Sequence, residues 1–216
     1  MLLLNVSYNE KDDAKKLGAR WNPKLKKWYV ENKEDYYKFM KWIPEEADIV
    51  AIENLYLFEG IHRCFRCGKE TRVIGFGIDK YINVCFIEDL EEDRDYINDG
   101  LNNEDIHIVG PIYPIPEKIL EYLTDKYNYK MRYSKTTGDS AMRNCCDHCD
   151  VLQGDFFLFD EVDSPFFIDN DEKLKRLKIF RIKLKHDLPL QAAMGFASYD
   201  ELFKEKCEIV DLDIEI

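Results

Sequence analysis

The chain is short of the features that announce an enzyme or a membrane protein. No apolar stretch in its 216 residues approaches the roughly 20 needed to cross a bilayer as a helix. The start, Met1 to Val6, lacks a basic flank and is too short for a signal peptide, so it reads as a strand. Histidine is scarce, and none of His62, His107, His148 and His186 is followed two residues later by the glutamate that a zinc deaminase keeps beside its metal. No Walker loop, Gly-x-Ser-x-Gly elbow or His-Glu-x-x-His helix occurs. The carboxylates show no spacing that marks a metal-dependent nuclease. Positive charge is also short, with 31 Lys and Arg against 43 Asp and Glu and a net charge of −12. That balance argues against a large sequence-independent grip on nucleic acid by the molecule as a whole, because phosphate binding follows cation density.

What is present is a pair of short cysteine motifs, Cys64-Phe65-Arg66-Cys67 and Cys146-Asp147-His148-Cys149. Two residues between cysteines let one tight turn aim both thiolates at a single ion. Two such pairs complete a closed site of four thiolates, the usual form of structural zinc, which leaves no open position for a reactive water. Between the pairs lie 78 residues, against roughly fifteen to twenty in an ordinary ribbon. Zinc would therefore fasten parts of the fold that are remote in sequence. Cys145 is an alternative to Cys146, while His62 and His148 read as surface groups or neighbours of the ligands. Cys85 and Cys207 have no partner at ligand spacing and read as buried thiols. Seven cysteines without a secretion signal predict a reducing, cytoplasmic setting, in which such pairs bind metal rather than oxidise. With 45% hydrophobic residues the chain is globular.

The first 44 residues read as a β-α-β-β-α module. A strand from Leu2 leads to Asn9 as a helix cap, with Ala14 and Leu17 on one face and Gly18 at the left-handed exit. Strands Ala19 to Trp21 and Lys27 to Val30 flank an Asn22-Pro23 turn. A second helix, capped by Asn32, carries Tyr36, Phe39, Met40 and Ile43 as its apolar stripe and stops at Pro44. The stretch from Val6 to Val30, with Tyr8-Asn-Glu-Lys-Asp-Asp-Ala-Lys-Lys-Leu-Gly-Ala-Arg-Trp21 and Lys27-Trp-Tyr-Val30, resembles a short bacterial and phage domain of unknown function. Ser7, Asn22 and Glu31 depart from that family's pattern. The family often accompanies primase-, topoisomerase- and nuclease-like domains of mobile elements, so the resemblance implies a nucleic-acid setting. Charge singles out the same segment: residues 1–44 hold ten basic and six acidic residues, and the remainder 21 and 37. Trp21 and Trp28 have two readings. They are the centre of a small aromatic core, or one ring is exposed and, with Arg20, Lys24, Lys26 and Lys27, forms a stacking platform for single strands.

Beyond residue 44 the text reads as strands at 48–60, leading into the first cysteine pair, and at Thr71 to Ile78. Gly68 is placed for a positive φ, and residues 88–105 read as an acidic loop. An extended connection through Pro111, Pro114 and Pro116 feeds a helix to Tyr127, followed by a strand from Tyr129 to Tyr133. A turn at Thr136 to Gly138 precedes the second pair. Gln153-Gly154-Asp155 reads as a turn into a strand, Phe156 to Phe159. A helix over Asp171 to Lys178, a strand from Ile179 to Lys185 and a helix from Ser198 to Cys207 complete the chain. The region from Tyr133 to Leu158 resembles a zinc-ribbon segment of other bacterial proteins.

These observations predict an α+β protein with a basic module at 1–44 and an acidic zinc-ribbon body at 45–216, the ribbon interrupted by an insertion over 68–145. The expected role is that of a non-enzymatic accessory protein of a bacterium or mobile element, contacting nucleic acid or a nucleic-acid enzyme through the basic module. The alternative is a protein-interaction module, of inhibitor or immunity type, whose acidic surface meets a basic protein partner. Structural zinc held by Cys64, Cys67, Cys146 and Cys149 is the expected cofactor, and no membrane is involved.

Overall fold

The computed structural model describes residues 1–84 and 99–216. Cys85 and most of the expected acidic loop therefore lie outside the described residues. Helices and sheets are mixed, as an α+β chain requires. Near the N-terminus, β1 (Leu2–Leu4), β2 (Arg20–Asn22) and β3 (Lys27–Val30) form an antiparallel sheet in the order β1-β3-β2. A 3-10 turn, Tyr8–Glu10, runs into the helix Lys11–Lys16. Ser7 rather than Asn9 begins that turn, and its hydroxyl donates to the Glu10 carboxylate at 2.8 Å. Ala14 is buried as expected, but Leu17 is exposed. Gly18 leaves the helix with φ +105°, the left-handed exit that glycine takes at least cost.

The expected second helix is a ten-residue 3-10 helix, Lys33–Trp42. Its buried residues are Tyr36, Phe39 and Trp42, three apart, which is the repeat of a three-residue turn. An α-helical stripe would have turned Met40 inward with Tyr36; here Met40 is only partly covered and Trp42 takes the core position. Asn32 does not cap the backbone, and its amide donates instead to Asp35 at 2.8 Å.

The remaining strands are β4 (Ile49–Ile52), β5 (Asn54–Arg63), β6 (Glu70–Ile78), β7 (Lys80–Asn83), β8 (His107–Tyr113), β11 (Lys178–Lys183), β12 (Leu188–Met194) and β13 (Ile209–Asp211), in one eight-stranded sheet ordered β13-β11-β5-β6-β8-β12-β4-β7. β4 and β5 are successive lengths of one segment, yet β5 pairs with β6 while β4 pairs with β12. Since β6 pairs with β8 and β8 with β12, the sheet curls back on itself. Ile49, Ala51, Leu55, Leu57, Ile74 and Phe76 pack inside the curl, and the helix Glu117–Lys126 adds Ile119 and Leu123. The opposite faces are covered as well. Tyr56, Phe58 and Val73 pack under Leu158, Phe166 and Phe203, while Val50, Ile52 and Ile82 complete the core that contains Leu2, Tyr36 and Phe39. Burial on both faces explains why β4 to β6 read as continuous apolar runs rather than alternating ones. A small hairpin, β9 (Tyr129–Tyr133) and β10 (Ser140–Asn144), stands apart from the large sheet.

Two further expectations need correction. Residues Asp155–Phe159 form a short helix, not a strand, with Leu158 inward and Phe156 and Phe157 exposed. A four-residue apolar run carries no periodicity long enough to tell the two apart. The last helix is confined to Leu202–Lys206, and Ser198 lies in the turn before it rather than at its cap.

Candidate metal centre

The first cysteine pair occupies the turn between β5 and β6, and the second follows β10 directly. Both turns are closed by the same two backbone hydrogen bonds. Gly68 N–H donates to the Cys64 carbonyl and Cys64 N–H to the Lys69 carbonyl, each at 2.9 Å. Asp150 N–H donates to the Cys146 carbonyl at 3.0 Å and Cys146 N–H to the Val151 carbonyl at 2.9 Å. The left-handed position falls on Gly68 (φ +71°) in one turn and on Asp150 (φ +60°) in the other. Asp150 is anchored there by Lys130, Asn128 and Arg132, which together hold its carboxyl well below the usual range.

The four sulfurs lie within 4.8 Å of one another. Cys64 Sγ is 3.7 Å from Cys149 Sγ, and Cys67 Sγ is 3.7 Å from Cys146 Sγ. A disulfide needs about 2.05 Å, whereas a tetrahedron with metal–sulfur bonds of about 2.3 Å has edges of about 3.8 Å. The donor set and its spacing therefore fit a four-thiolate metal site. Its electrostatics point the same way. Burial pushes the Cys64 thiol up, but the N–H groups of Cys67 and Arg66, with the thiols of Cys146 and Cys149, together outweigh it and hold the thiol down to about 6. At Cys149 the Val151 N–H pulls down, while burial and the sulfurs of Cys64, Cys146 and Cys67 push the thiol up to about 12. A thiol held down beside one pushed up reflects the repulsion between neighbouring thiolates, which a cation among them would relieve.

The two turns are aligned by more than sulfur. Asn144 reads the backbone of Ile74 as a strand would, accepting from its N–H at 2.7 Å and donating to its carbonyl at 2.9 Å. Asp147 N–H donates to Thr71 Oγ1 at 2.9 Å, and the Asp147 carboxylate accepts from Arg72. Gln153, buried beside the site, donates to Cys64 Sγ at 3.7 Å and to the Val151 carbonyl at 2.9 Å. Sequence reasoning gave Asn144 no role and read Gln153 only as part of a turn. An apparently ordinary polar residue next to a cysteine pair was the only available signal.

The other sequence candidates resolve as follows. Cys146, not Cys145, joins the cluster; the Cys145 thiol points to the Arg143 carbonyl at 3.8 Å. His148 Nε2 sits 2.9 Å from the Glu70 carbonyl, so that nitrogen carries a proton and does not face the sulfurs. Cys207 is a partly buried thiol, pushed up by burial. Asp155 does not close its own turn but accepts from Arg143. A third turn, at the tip of the β9–β10 hairpin, repeats the knuckle bonding without thiols. Gly138 N–H donates to the Ser134 carbonyl and Ser134 N–H to the Asp139 carbonyl, each at 2.9 Å. Ser134 and Thr137 stand where the other turns have cysteine. The buried Arg143 guanidinium ties Thr137, Asp139 and Asp155 together.

In the basic module Trp21 and Trp28 face each other across β2 and β3, with ring centroids 5.7 Å apart. Trp28 leans on the core, whereas Trp21, on the edge strand, is 49% exposed. Arg20 and Lys27 fall on the opposite face by strand alternation, paired with Glu31 at 3.1 Å and Asn5 at 2.7 Å. Lys24 and Lys26 project from the turn, where Lys26 adopts φ +52°. The six residues thus share one hairpin but not one face. Tyr8, 80% exposed with Lys11 Nζ 3.9 Å from its ring centre, adds an exposed aromatic that sequence reasoning passed over.

Comparison with known proteins concerns this module. Residues 1–44 match the model of a family described as a domain of unknown function (DUF5710). Two proteins of Escherichia coli, each called DNA primase TraC, are similar to a short N-terminal stretch of the chain. One is 51% identical over 50 residues, covering 23% of this chain and 3% of the primase. The other is 48% identical over 44 residues, covering 20% of this chain and 4% of the primase. No solved structure matches the chain. No helix among the described residues is long and apolar enough to cross a membrane.

Proposed function

We propose that this chain is a zinc-fastened accessory protein that contacts DNA, or a DNA-handling enzyme, through residues 1–44. In this reading residues 45–216 are a zinc-ribbon body, its two knuckles separated by the insertion over 68–145, and the zinc is structural. A bound zinc would supply folding free energy, on the order of 10 kcal/mol in small zinc modules, by holding the β5–β6 tip against the end of β10. The observation that carries the DNA reading is Trp21. It is a half-exposed ring at the open edge of a lysine-bearing hairpin, within the segment that is similar to two DNA primases. Stacking of a base on such a ring contributes about 1–3 kcal/mol, Lys24 and Lys26 on the adjoining turn supply cations for phosphate, and Lys27 adds positive charge from the hairpin's other face. Likeness over so small a part of the primases carries setting rather than activity, and priming chemistry is not part of the proposal.

Fluorescence anisotropy with labelled single- and double-stranded DNA tests this. The expected result is micromolar, salt-sensitive binding of single strands. Trp21→Ala should weaken it about tenfold or more, and neutralising Lys24, Lys26 and Lys27 should reduce the salt slope by about 2. Absence of salt-sensitive binding to either form, together with no capture of a DNA-handling enzyme by the wild-type protein and not by W21A, would sink the reading.

A further inference from the structure

Away from the thiols and the basic hairpin lies a cleft of about 410 Å³ beside the helix Asp155–Phe159. Its inner wall is made by buried Phe166, Ile168 and Phe203, and its rim by exposed Phe167 and Phe196. Gly110 and Gly195 also line it, and a Cβ added at either would meet no atom within 4 Å. The volume is that of a site able to take an aromatic or long aliphatic group. Phe156 and Phe157, 57% and 50% exposed, continue the apolar surface along the helix. Phe196 is 72% exposed yet held in place, its ring 4.8 Å from that of His107, which is itself bonded to Asp200 at 2.7 Å. Several phenylalanines gathered around one cleft differ from apolar residues scattered singly over a surface.

The charge beside the cleft is mostly acidic, although Lys173 bonds the Phe167 carbonyl at its rim and Arg143 pairs with Asp155 in its wall. Asp160 lines it, Glu161 follows on the same exposed segment, and Asp163 lies in the neighbouring depression that also holds Lys173 and Arg176. None of the three has an ion pair among the described residues, whereas neighbouring Asp169 and Asp171 are paired with Lys173 and Lys206. We propose that the cleft is a docking site for a basic segment of a protein partner, which seats one apolar or aromatic side chain among the phenylalanines and sets lysine or arginine on Asp160, Glu161 and Asp163. Three unpaired carboxylates repel phosphate, so this surface does not extend the DNA contact proposed for residues 1–44 and does not depend on it. Anchors of this kind, sunk in a pocket with charges at the rim, carry most of the affinity of small interfaces.

The full chain is titrated into a short fluorescein-labelled peptide of lysines and arginines around one central tryptophan. The same peptide with alanine at its centre, and with glutamate for its basic residues, are the controls. The expected result is binding of the tryptophan peptide, weakened about tenfold or more by each of four changes. These are alanine at the peptide centre, Gly195→Leu, Phe196→Ser, and the triple change Asp160→Asn, Glu161→Gln, Asp163→Asn, with circular dichroism showing that the variants fold. Trp21→Ala should leave this binding unchanged, which separates its failure from failure of the DNA reading. No binding at micromolar protein, equal binding of the alanine or glutamate peptide, or equal binding by the variants would each overturn the proposal.

Discussion

Asn144 takes the place of a strand. By satisfying both the N–H and the carbonyl of Ile74 it joins β10 to the edge of β6 where no ladder runs, one residue before the buried Cys145–Cys146 pair. Asn144→Leu keeps the size but strands a buried donor and a buried acceptor, at about 1–3 kcal/mol each. Urea unfolding should therefore show a loss of about 2–6 kcal/mol, and a loss below about 1 kcal/mol would mean that the pairing is not made. Cys67→Ser and Cys149→Ser should each abolish stoichiometric metal, read by elemental analysis. If the site is worth even about 4 kcal/mol, the melting temperature falls by about 8–16 °C; unchanged melting and metal content would refute the assignment. Glu10 offers a pH test. Lys41, then Ser7, hold its carboxyl down to about 2. A lowered folded-state value means that the contact contributes fully above the ordinary carboxylate value of about 4.3 and is lost as pH falls toward 2. An NMR titration of the Glu10 side chain should show a midpoint well under 4, moving back toward the ordinary value in Lys41→Met.

The 3-10 helix Lys33–Trp42 is the element whose period decides its packing. Tyr36, Phe39 and Trp42 form one row under the small sheet, and the Tyr36 hydroxyl reaches the Asp187 carboxylate at the start of β12. Phe39→Ala should cost about 3–5 kcal/mol and Met40→Ala under about 2. Equal costs would restore the α-helical stripe. Helix existence was readable here, since apolar residues recur between Asn32 and Pro44. The choice between turns of three and 3.6 residues was not, because Met40 and Ile43 fit an α-helical stripe as well as Trp42 fits a 3-10 row. The helix Asp155–Phe159 misled for the opposite reason. Its four apolar residues look like a buried strand, yet Phe156 and Phe157 face solvent and only Leu158 is fully buried. The short strands β7, β12 and β13 carry little signal of their own. They become strands because β4, β8 and β11 present unpaired backbone edges to them.

Across the whole molecule the proposed metal site would act as a fastener between the β5–β6 tip and the end of β10. Removal of metal by chelation should raise hydrogen exchange at the β5–β6 tip and over residues 145–152 before it affects β1 to β3, whose core shares no residue with the thiol cluster. Simultaneous loss of protection everywhere would show that the metal supports the entire fold. The spacing of two cysteine pairs was enough to name the four thiols, because a two-residue gap fixes a turn whatever surrounds it. The basic character of residues 1–44 and the left-handed exits at Gly18 and Gly68 were equally local, set by charge and by the cost of a side chain at positive φ. Only the folded chain decided which of two adjacent cysteines joins the cluster, that Asn144 and Gln153 support it, and that Trp21 stands at an edge while Trp28 meets the core. Those outcomes depend on contacts between segments some seventy residues or more apart, or on which strand ends at an open edge. Neither quantity is carried by any residue's immediate neighbours along the chain.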